Sequence, residues 1–352
     1  MPTSDLPLNL ITDVPGLSVG HATDLELGSG VTAILFDTAA TLSVCVLGGA
    51  PGGQDTTMLE PEMGIGGTDA VVLAGGSVFG LDAPGGVQAA LREAGRGLNI
   101  RGALVPLASA AILFDLLNGG NKAWGRFPPY RDLGYAAGVA AAPGPFALGS
   151  VGAGTGATTA TVKGGLGSAS CRTRSGHMVG AIAAVNAIGT VTIGDGPWFW
   201  AAPFEQAAEF GGLGWPAAMP EGALEPRLKL APGTGTTIAL VATDAALTKP
   251  QAKRLAIMAN NGLGRAILPA HGPLDGETVF AASTGRRALE NAEHDLTEIG
   301  QAATIALARA VARGVYEATA LPCPGAQPSW RDRFGGSGSG RVRGRWCSGS
   351  VG

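Results

Sequence analysis

Charge is sparse in this chain. Asp, Glu, Lys and Arg make up 14% of its 352 residues and leave a formal net charge of -3. With an isoelectric point of about 5.8, it offers no electrostatic reason to expect nucleic acid as a partner. Cysteine is scarce too. Cys45, Cys171, Cys323 and Cys347 lie far apart with no Cys-x-x-Cys pair, so neither a zinc site nor a disulfide framework is indicated, and a reducing compartment fits. No apolar run approaches the roughly eighteen residues needed to span a bilayer. The N-terminus, Met1-Pro2-Thr3-Ser4-Asp5, has no basic region followed by an apolar stretch. These absences predict a cytoplasmic protein with no nucleic-acid or membrane partner, no metal and no cofactor.

What is abundant is apolar surface and glycine. Hydrophobic residues make up 45% and the mean hydropathy is +0.24, which predicts extensive burial, including strands covered on both faces. Low surface charge also suits a chain that covers part of itself by oligomerising. Glycine reaches 58 residues without a fixed period, implying many tight turns and close backbone approaches.

Ala231 to Thr243 reads Ala-Pro-Gly-Thr-Gly-Thr-Thr-Ile-Ala-Leu-Val-Ala-Thr. From Thr237 it alternates, with Ile238, Leu240 and Ala242 on one face, so it predicts a strand in a packed sheet. Pro232-Gly233-Thr234-Gly235 is a flexible approach that can bring a peptide bond close to a side-chain hydroxyl. A Gly-Thr junction at a strand start is where a self-cleaving hydrolase keeps its nucleophile. If the Thr236 hydroxyl attacks the Gly235 carbonyl and the bond breaks, Thr236 gains a free α-amine of unperturbed pKa roughly 7.7 to 8. That amine can act as general base for its own hydroxyl. Taken alone, the same residues more often mean a Gly-rich turn entering an ordinary strand.

Elsewhere the pattern predicts extended segments at Leu10 to Val19, Val31 to Phe36 and Ser43 to Leu47, with His21 a satisfied structural residue. Gly48-Gly49-Ala50-Pro51-Gly52-Gly53 is a loop that permits close approach to a ligand or another segment. Asp69 to Ala74 is a strand, joined through Gly75-Gly76-Ser77 to a helix reaching about Ala94. Phe79 stands where the nucleophile elbow Gly-x-Ser-x-Gly requires glycine, so Ser77 is expected to cap the helix. Leu104 to Leu117 reads as a strand passing into a short helix, with Asp115 its only charge. Gly149 to Gly156 lacks the preceding strand and later acid of a dinucleotide site. Lys163 is either a turn residue or a cation meeting an anionic or carbonyl group. Met178 to Asn186 is a strand whose terminal amide can donate to an oxyanion or cap a turn. Pro197 to Pro220 reads as an exposed loop, and Thr248 to about Asn261 as a helix closed at Gly262. Asp275-Gly276-Glu277 leads into a strand, Val279 to Ser283. Its paired carboxylates either orient a nucleophile or solvate a turn. Leu296 to Ala318 is the longest amphipathic helix. From Leu321 the composition predicts a disordered Gly/Ser/Arg tail.

Ordered matches then run from about Ile11 to Thr319: Ile11-Thr-Asp-Val-Pro-Gly, Val19-Gly-His-Ala-Thr, Gly48-Gly-Ala-Pro-Gly and Leu73-Ala-Gly-Gly-Ser-Val-Phe-Gly-Leu-Asp. They continue with Gly152-Ala-Gly-Thr-Gly-Ala, Lys163-Gly-Gly-Leu-Gly-Ser, Gly235-Thr-Thr-Ile and Asp275-Gly-Glu-Thr-Val-Phe. On these residues the chain resembles the self-processing aminopeptidases of the DmpA type (L-aminopeptidase/D-esterase), which include β-peptidyl aminopeptidases and nylon-oligomer endohydrolases. The resemblance implies an α/β fold, a four-layer α/β/β/α sandwich like that of the ornithine acetyltransferases, from one chain that cuts itself into two. It places the nucleophile on Thr236, the oxyanion-stabilising amide on Asn186 and the supporting polar pair on Asp275 and Glu277. The nylon hydrolase carries aspartate at both acid positions and β-peptidyl enzymes Ser-Gly-Glu, so Asp-Gly-Glu is a hybrid. A tyrosine that lines the site in several members falls on Phe114, without its hydroxyl. Gly235 before the nucleophile matches the DmpA type, where the nylon hydrolase has asparagine. A lysine of the nylon-hydrolase site falls near Thr161, and its role is carried provisionally to Lys163.

The leading expectation is a threonine amidohydrolase cutting small peptides, amino-acid amides or oligoamides through an acyl-Thr236 intermediate. Residues 1–320 would form a single self-processing domain cleaved between 235 and 236, residues 321–352 the tail, and the assembly a homotetramer of processed α/β heterodimers. The alternatives are an acyltransferase of the ornithine-acetyltransferase type, in which an amine resolves the acyl-enzyme, and an unprocessed binding protein.

Overall fold

The computed structural model describes residues 7–229 and 235–335. Its strands are β1 (Leu17–Asp24), β2 (Ser29–Val46), β3 (Gly53–Gln54), β4 (Thr68–Ala74), β5 (Leu98–Ile100), β6 (Ala103–Val105), β7 (Ala108–Ile112), β8 (Gly165–Arg172), β9 (Met178–Asn186), β10 (Thr236–Ala245) and β11 (Thr278–Arg287). The helices are α1 (Ala83–Glu93), α2 (Tyr130–Val139), α3 (Lys249–Ala266), α4 (Ala292–Tyr316) and α5 (Trp330–Phe334).

The long strand β2 organises the rest. Its first half pairs with β1 and β4, while its second half, beyond the exposed Asp37-Thr38-Ala39, pairs with β11. Strand order is β3-β7-β4-β2-β11-β10-β9-β8, with β1 on β2. Because side chains alternate across a strand, three apolar layers result. Ile34, Phe36, Leu42, Val71, Leu73, Ile182, Ile238, Leu240 and Phe280 fill the space between the two halves of the sheet. Val31, Ala33, Val72 and Ala110 pack outward under α1 and α2, through Val87, Leu91 and Ala137. Ala181, Val185, Val241 and Val279 pack outward under α3 and α4, through Leu255, Leu263, Leu307 and Val311. The fold is α/β, with layers α/β/β/α.

Several elements depart from the sequence expectations for identifiable reasons. Val31 to Phe36 and Ser43 to Leu47 are one strand. Leu10 to Val19 is not continuous, because the chain turns at Pro15-Gly16 between a 3-10 turn at Ile11–Asp13 and β1, which carries His21 opposite Thr32. No helix follows β7 toward Leu117. Ser77 does not cap α1; it sits in the left-handed region at φ 53° and its N–H donates to the Leu113 carbonyl (2.9 Å). Helix α3 starts after Thr248 as expected, with a capping box between Thr248 and Gln251, but runs through Gly262. A Cβ there would lie 2.5 Å from the Thr304 carbonyl, so the glycine is in place for helix-to-helix contact, and packing offsets its helix cost of about 1 kcal/mol. The segment 197–220 is not simply an exposed loop, since Phe199, Ala201 and Phe210 enter the core under α4. The expected loss of order at Leu321 does not occur there. Trp330, 7% exposed, stacks on Phe199 with ring centroids 5.8 Å apart, and the packed chain continues to Phe334. Residues 336–352 of the expected tail, and Pro232-Gly233-Thr234 before the proposed nucleophile, lie outside the described residues. No helix among the described residues is long and apolar enough to cross a membrane.

Candidate active site

Strand pairing alone brings the sequence candidates together. Antiparallel register between β9 and β10 sets Asn186, the last residue of one, opposite Thr236, the first of the other. β11 runs parallel to β10, with Ile238 against Thr278, so the residues just before β11 lie beside the start of β10. Gly235 forms a parallel bridge to Asp275. A Cβ on Gly276 would be 2.7 Å from Thr236 Oγ1; only glycine lets the acid-bearing turn come this close. The Thr236 hydroxyl in turn donates to the Gly235 carbonyl, the group that immediately precedes it.

Asn186 is fully buried. Its Nδ2 donates to the Phe114 carbonyl (2.8 Å), and its Oδ1 accepts from Thr158 N (2.9 Å), Asn118 Nδ2 (3.2 Å) and Lys229 Nζ (2.9 Å). Phe114 therefore meets the site through its main chain, and its ring is half-buried. Lys229 Nζ also donates to the Asn186 main-chain carbonyl (3.0 Å). Burial pushes this ammonium down to about 7, with Lys163 adding to the fall and Asp275 and Asp115 opposing it.

Both acids are buried at 0% exposure. Asp275 Oδ1 accepts from Gly276 N (3.1 Å), whereas Oδ2 has no hydrogen-bond partner. Burial, then the nearby Glu277 charge, raises the Asp275 carboxyl to about 7. Glu277 Oε2 accepts from His271 N (2.5 Å) and lies 2.5 Å from His271 Nδ1. This contact raises the imidazole above its usual range, against the effect of burial. The Ala50 N–H donates to the Asp275 carbonyl (2.8 Å), so the glycine-rich loop after β2 approaches the acid-bearing turn.

Lys163 is not in a solvated turn. It is 1% exposed, and its Nζ donates to the carbonyls of Gly154 (3.0 Å), Ala157 (2.7 Å) and Gly164 (2.9 Å). Burial lowers it to about 7, with Asp115 opposing. Its ammonium thus braces the loop before β8, while the lysine that touches Asn186 is Lys229.

The comparisons fit this arrangement. A sequence model of peptidase family S58 matches residues 9–327. This chain belongs to peptidase family S58. The S58 chain is 40% identical over 359 residues to an uncharacterized aminopeptidase of Mycobacterium tuberculosis, covering 94% of this chain and 99% of that one. It is 30% identical over 284 residues to a 6-aminohexanoate-oligomer endohydrolase of Kocuria sp., covering 77% and 74%. Among solved structures, a beta-aminopeptidase of Burkholderia sp. superposes with a TM-score of 0.69 at 22% identity over 93% of this chain and 92% of that one. An L-aminopeptidase D-Ala-esterase/amidase of Ochrobactrum anthropi, described as a variant of the Ntn hydrolase fold, gives 0.65 at 23% identity over 95% and 92%. This S58 chain is accordingly a hydrolase of the aminopeptidase/amidohydrolase kind.

Three buried or half-buried charged residues around the candidate site are passed over by sequence reasoning. Lys229 is the last cation before Thr236, seven positions upstream, and that placement is its one sequence signal. His271 carries none, since its pairing with Glu277 depends on the turn between them. Asp115, the lone charge of an apolar segment, is fully buried and accepts from Ser29 Oγ (2.6 Å) and Gly76 N (2.8 Å). Burial holds its carboxyl above the usual range. The charge among apolar residues was the available cue.

Proposed function

We propose that this chain cuts itself between Gly235 and Thr236 and then hydrolyses amide bonds of small peptides, amino-acid amides or oligoamides through an acyl-Thr236 intermediate. The observation that carries the reading is the Thr236 hydroxyl resting on the Gly235 carbonyl, opposite Asn186 and beside Asp275 and Glu277. In the first step Thr236 Oγ bonds to the Gly235 carbonyl carbon as the carbon–nitrogen bond breaks, and the nitrogen takes up the hydroxyl proton. Water then hydrolyses the ester, leaving a Gly235 carboxylate and a free Thr236 amine. In turnover that amine accepts the hydroxyl proton as Oγ attacks the substrate carbonyl and passes it to the leaving amine, after which water releases the acyl group. Asn186 Nδ2 is the candidate donor to the developing oxyanion. The Phe114 position supplies no phenol and contributes its main-chain carbonyl to Asn186. Sparse charge, 14% of residues, suits a chain that covers part of itself by oligomerising, and the homotetramer of processed heterodimers belongs to the same reading through the family resemblance.

Intact mass of the purified protein tests it. Two fragments are expected, the smaller beginning at Thr236. A cut elsewhere, or a single chain, overturns the assignment.

The acids divide the work unequally. Burial and the neighbouring Glu277 charge push the Asp275 carboxyl upward, toward the neutral form that Asp275→Asn imitates. Glu277→Gln instead removes the charge paired with His271. Measured on variants already cut at Thr236, Glu277→Gln should lower kcat on the order of 100-fold and Asp275→Asn by less than about 10-fold. Equal, small losses would return the pair to a structural turn.

A further inference from the structure

Lys229 and Gly235 both meet Ile188. The Lys229 N–H donates to the Ile188 carbonyl (3.0 Å), and a Cβ on Gly235 would lie 2.4 Å from the Ile188 Cβ. Two residues before Ile188 stands Asn186, which takes the Lys229 ammonium on both its main-chain and side-chain oxygens. The half-buried Lys229 thus places its ammonium on the residue paired with Thr236.

We propose that Lys229 is a positioning residue for self-cleavage. Its ammonium ties the upstream end of the scissile segment to Asn186 and fixes the Asn186 amide while the Gly235 carbonyl is attacked. The inference rests on the proposed function, because it needs the Gly235-Thr236 bond to break. Two physical effects follow. The charge-assisted bonds to Asn186 hold that residue in register opposite Thr236, whose hydroxyl meets the Gly235 carbonyl. A cation on Oδ1 also withdraws density from the amide, making Nδ2 a better donor. Misplacement of reacting groups by about 1 Å costs on the order of 100-fold, which sets the expected effect.

The groups that face this ammonium are Asp275 before β11, Lys163 before β8 and Asp115 after β7. Burial shifts the Asp275 carboxyl upward and the Lys163 ammonium downward, into the same pH range, so a pH profile of the wild-type chain alone does not isolate Lys229. Comparing side chains at position 229 in an otherwise constant background does.

The experiment follows full-length precursor refolded from denaturant, with cleavage read on denaturing gels from pH 5.5 to 9, for wild type, Lys229→Met and Lys229→Arg. Uncut Thr236→Ala serves as the reference for folded precursor by circular dichroism. Wild type should slow as pH rises past about 7. Lys229→Met, matched in length and without charge, should fold like the reference and cleave on the order of 100-fold more slowly at pH 6, without that alkaline decline. Lys229→Arg, whose guanidinium stays charged, should keep cleaving at pH 9 faster than Lys229→Met. Cleavage of Lys229→Met at the wild-type rate, or a slowed rate that retains the wild-type alkaline decline, overturns the proposal. If Lys229→Met does not fold, Lys229→Arg decides: an alkaline decline like that of wild type counts against it. A wild-type chain that stays whole would instead overturn the proposed function itself.

Discussion

Thr236→Ala should purify as one chain of the full 35.0 kDa and hydrolyse no amide substrate at a measurable rate. The hydroxyl is asked to act twice, first on the Gly235 carbonyl it already contacts and then on substrate. Its removal therefore blocks both the release of the amine and the acyl-enzyme that amine supports. Loss of a nucleophile that works as a unit with its base typically costs on the order of 10^4-fold or more in turnover. Thr237→Ala is the matched control. Thr237 is equally buried, and its Oγ1 has no hydrogen-bond partner, so alanine there removes an unsatisfied polar atom and leaves the chemistry alone. It should still be cut at Thr236. Intact mass and an amide-hydrolysis assay on both variants decide the register: processing lost in Thr237→Ala and kept in Thr236→Ala would move the nucleophile by one residue.

The second large effect is expected at Asn186. Removal of a single oxyanion donor lowers turnover by about 100 to 1000 fold, and Asn186→Ala should fall in that range when kcat is measured on the cleaved, folded fraction. The same substitution leaves Thr158 N, Asn118 Nδ2 and Lys229 Nζ without the oxygen they share, so the yield of folded protein should also fall. Buried donors stripped of their acceptor carry a desolvation cost of about 1 to 3 kcal/mol each. The two losses separate experimentally, since stability is read from thermal melting and catalysis from kcat per cleaved active chain. Unchanged kcat in melted-and-counted protein would remove Asn186 from the chemistry and leave it as a structural hub.

The parts of the fold legible in the sequence were those whose signal is local. Met178 to Asn186 is written as an apolar run ending in an amide, and the structure gives β9 those limits. Thr248-Lys249-Pro250 announces the start of α3, but its end is set by α4, which needs Gly262 as a contact point, and no local rule contains that partner. β2 looked like two strands because Asp37-Thr38-Ala39 interrupts its apolar pattern. Those residues mark where one strand passes between neighbours. Thr236, Asn186 and the Asp275-Glu277 turn, singled out by motif, are brought together by strand pairing. Lys229 and His271 acquire their roles only through contacts across the fold, and Lys163, prominent among glycines, is absorbed by three carbonyls.

The strand order has a consequence for a chain cut before β10. β10 and β11 are sandwiched between β9 and β2, so the downstream piece would be wedged into the upstream one, hydrogen-bonded along both flanks. Neither piece could leave without unzipping two ladders at once, and the nicked protein should persist for long times under native conditions. Reassembly after full denaturation would be another matter. It would become a second-order encounter between two incomplete sheets with exposed edges, prone to aggregation, whereas the uncut chain refolds as a first-order process. Cutting would thus turn a reversible equilibrium into a ratchet, with the lifetime of the working enzyme governed by its unfolding rate.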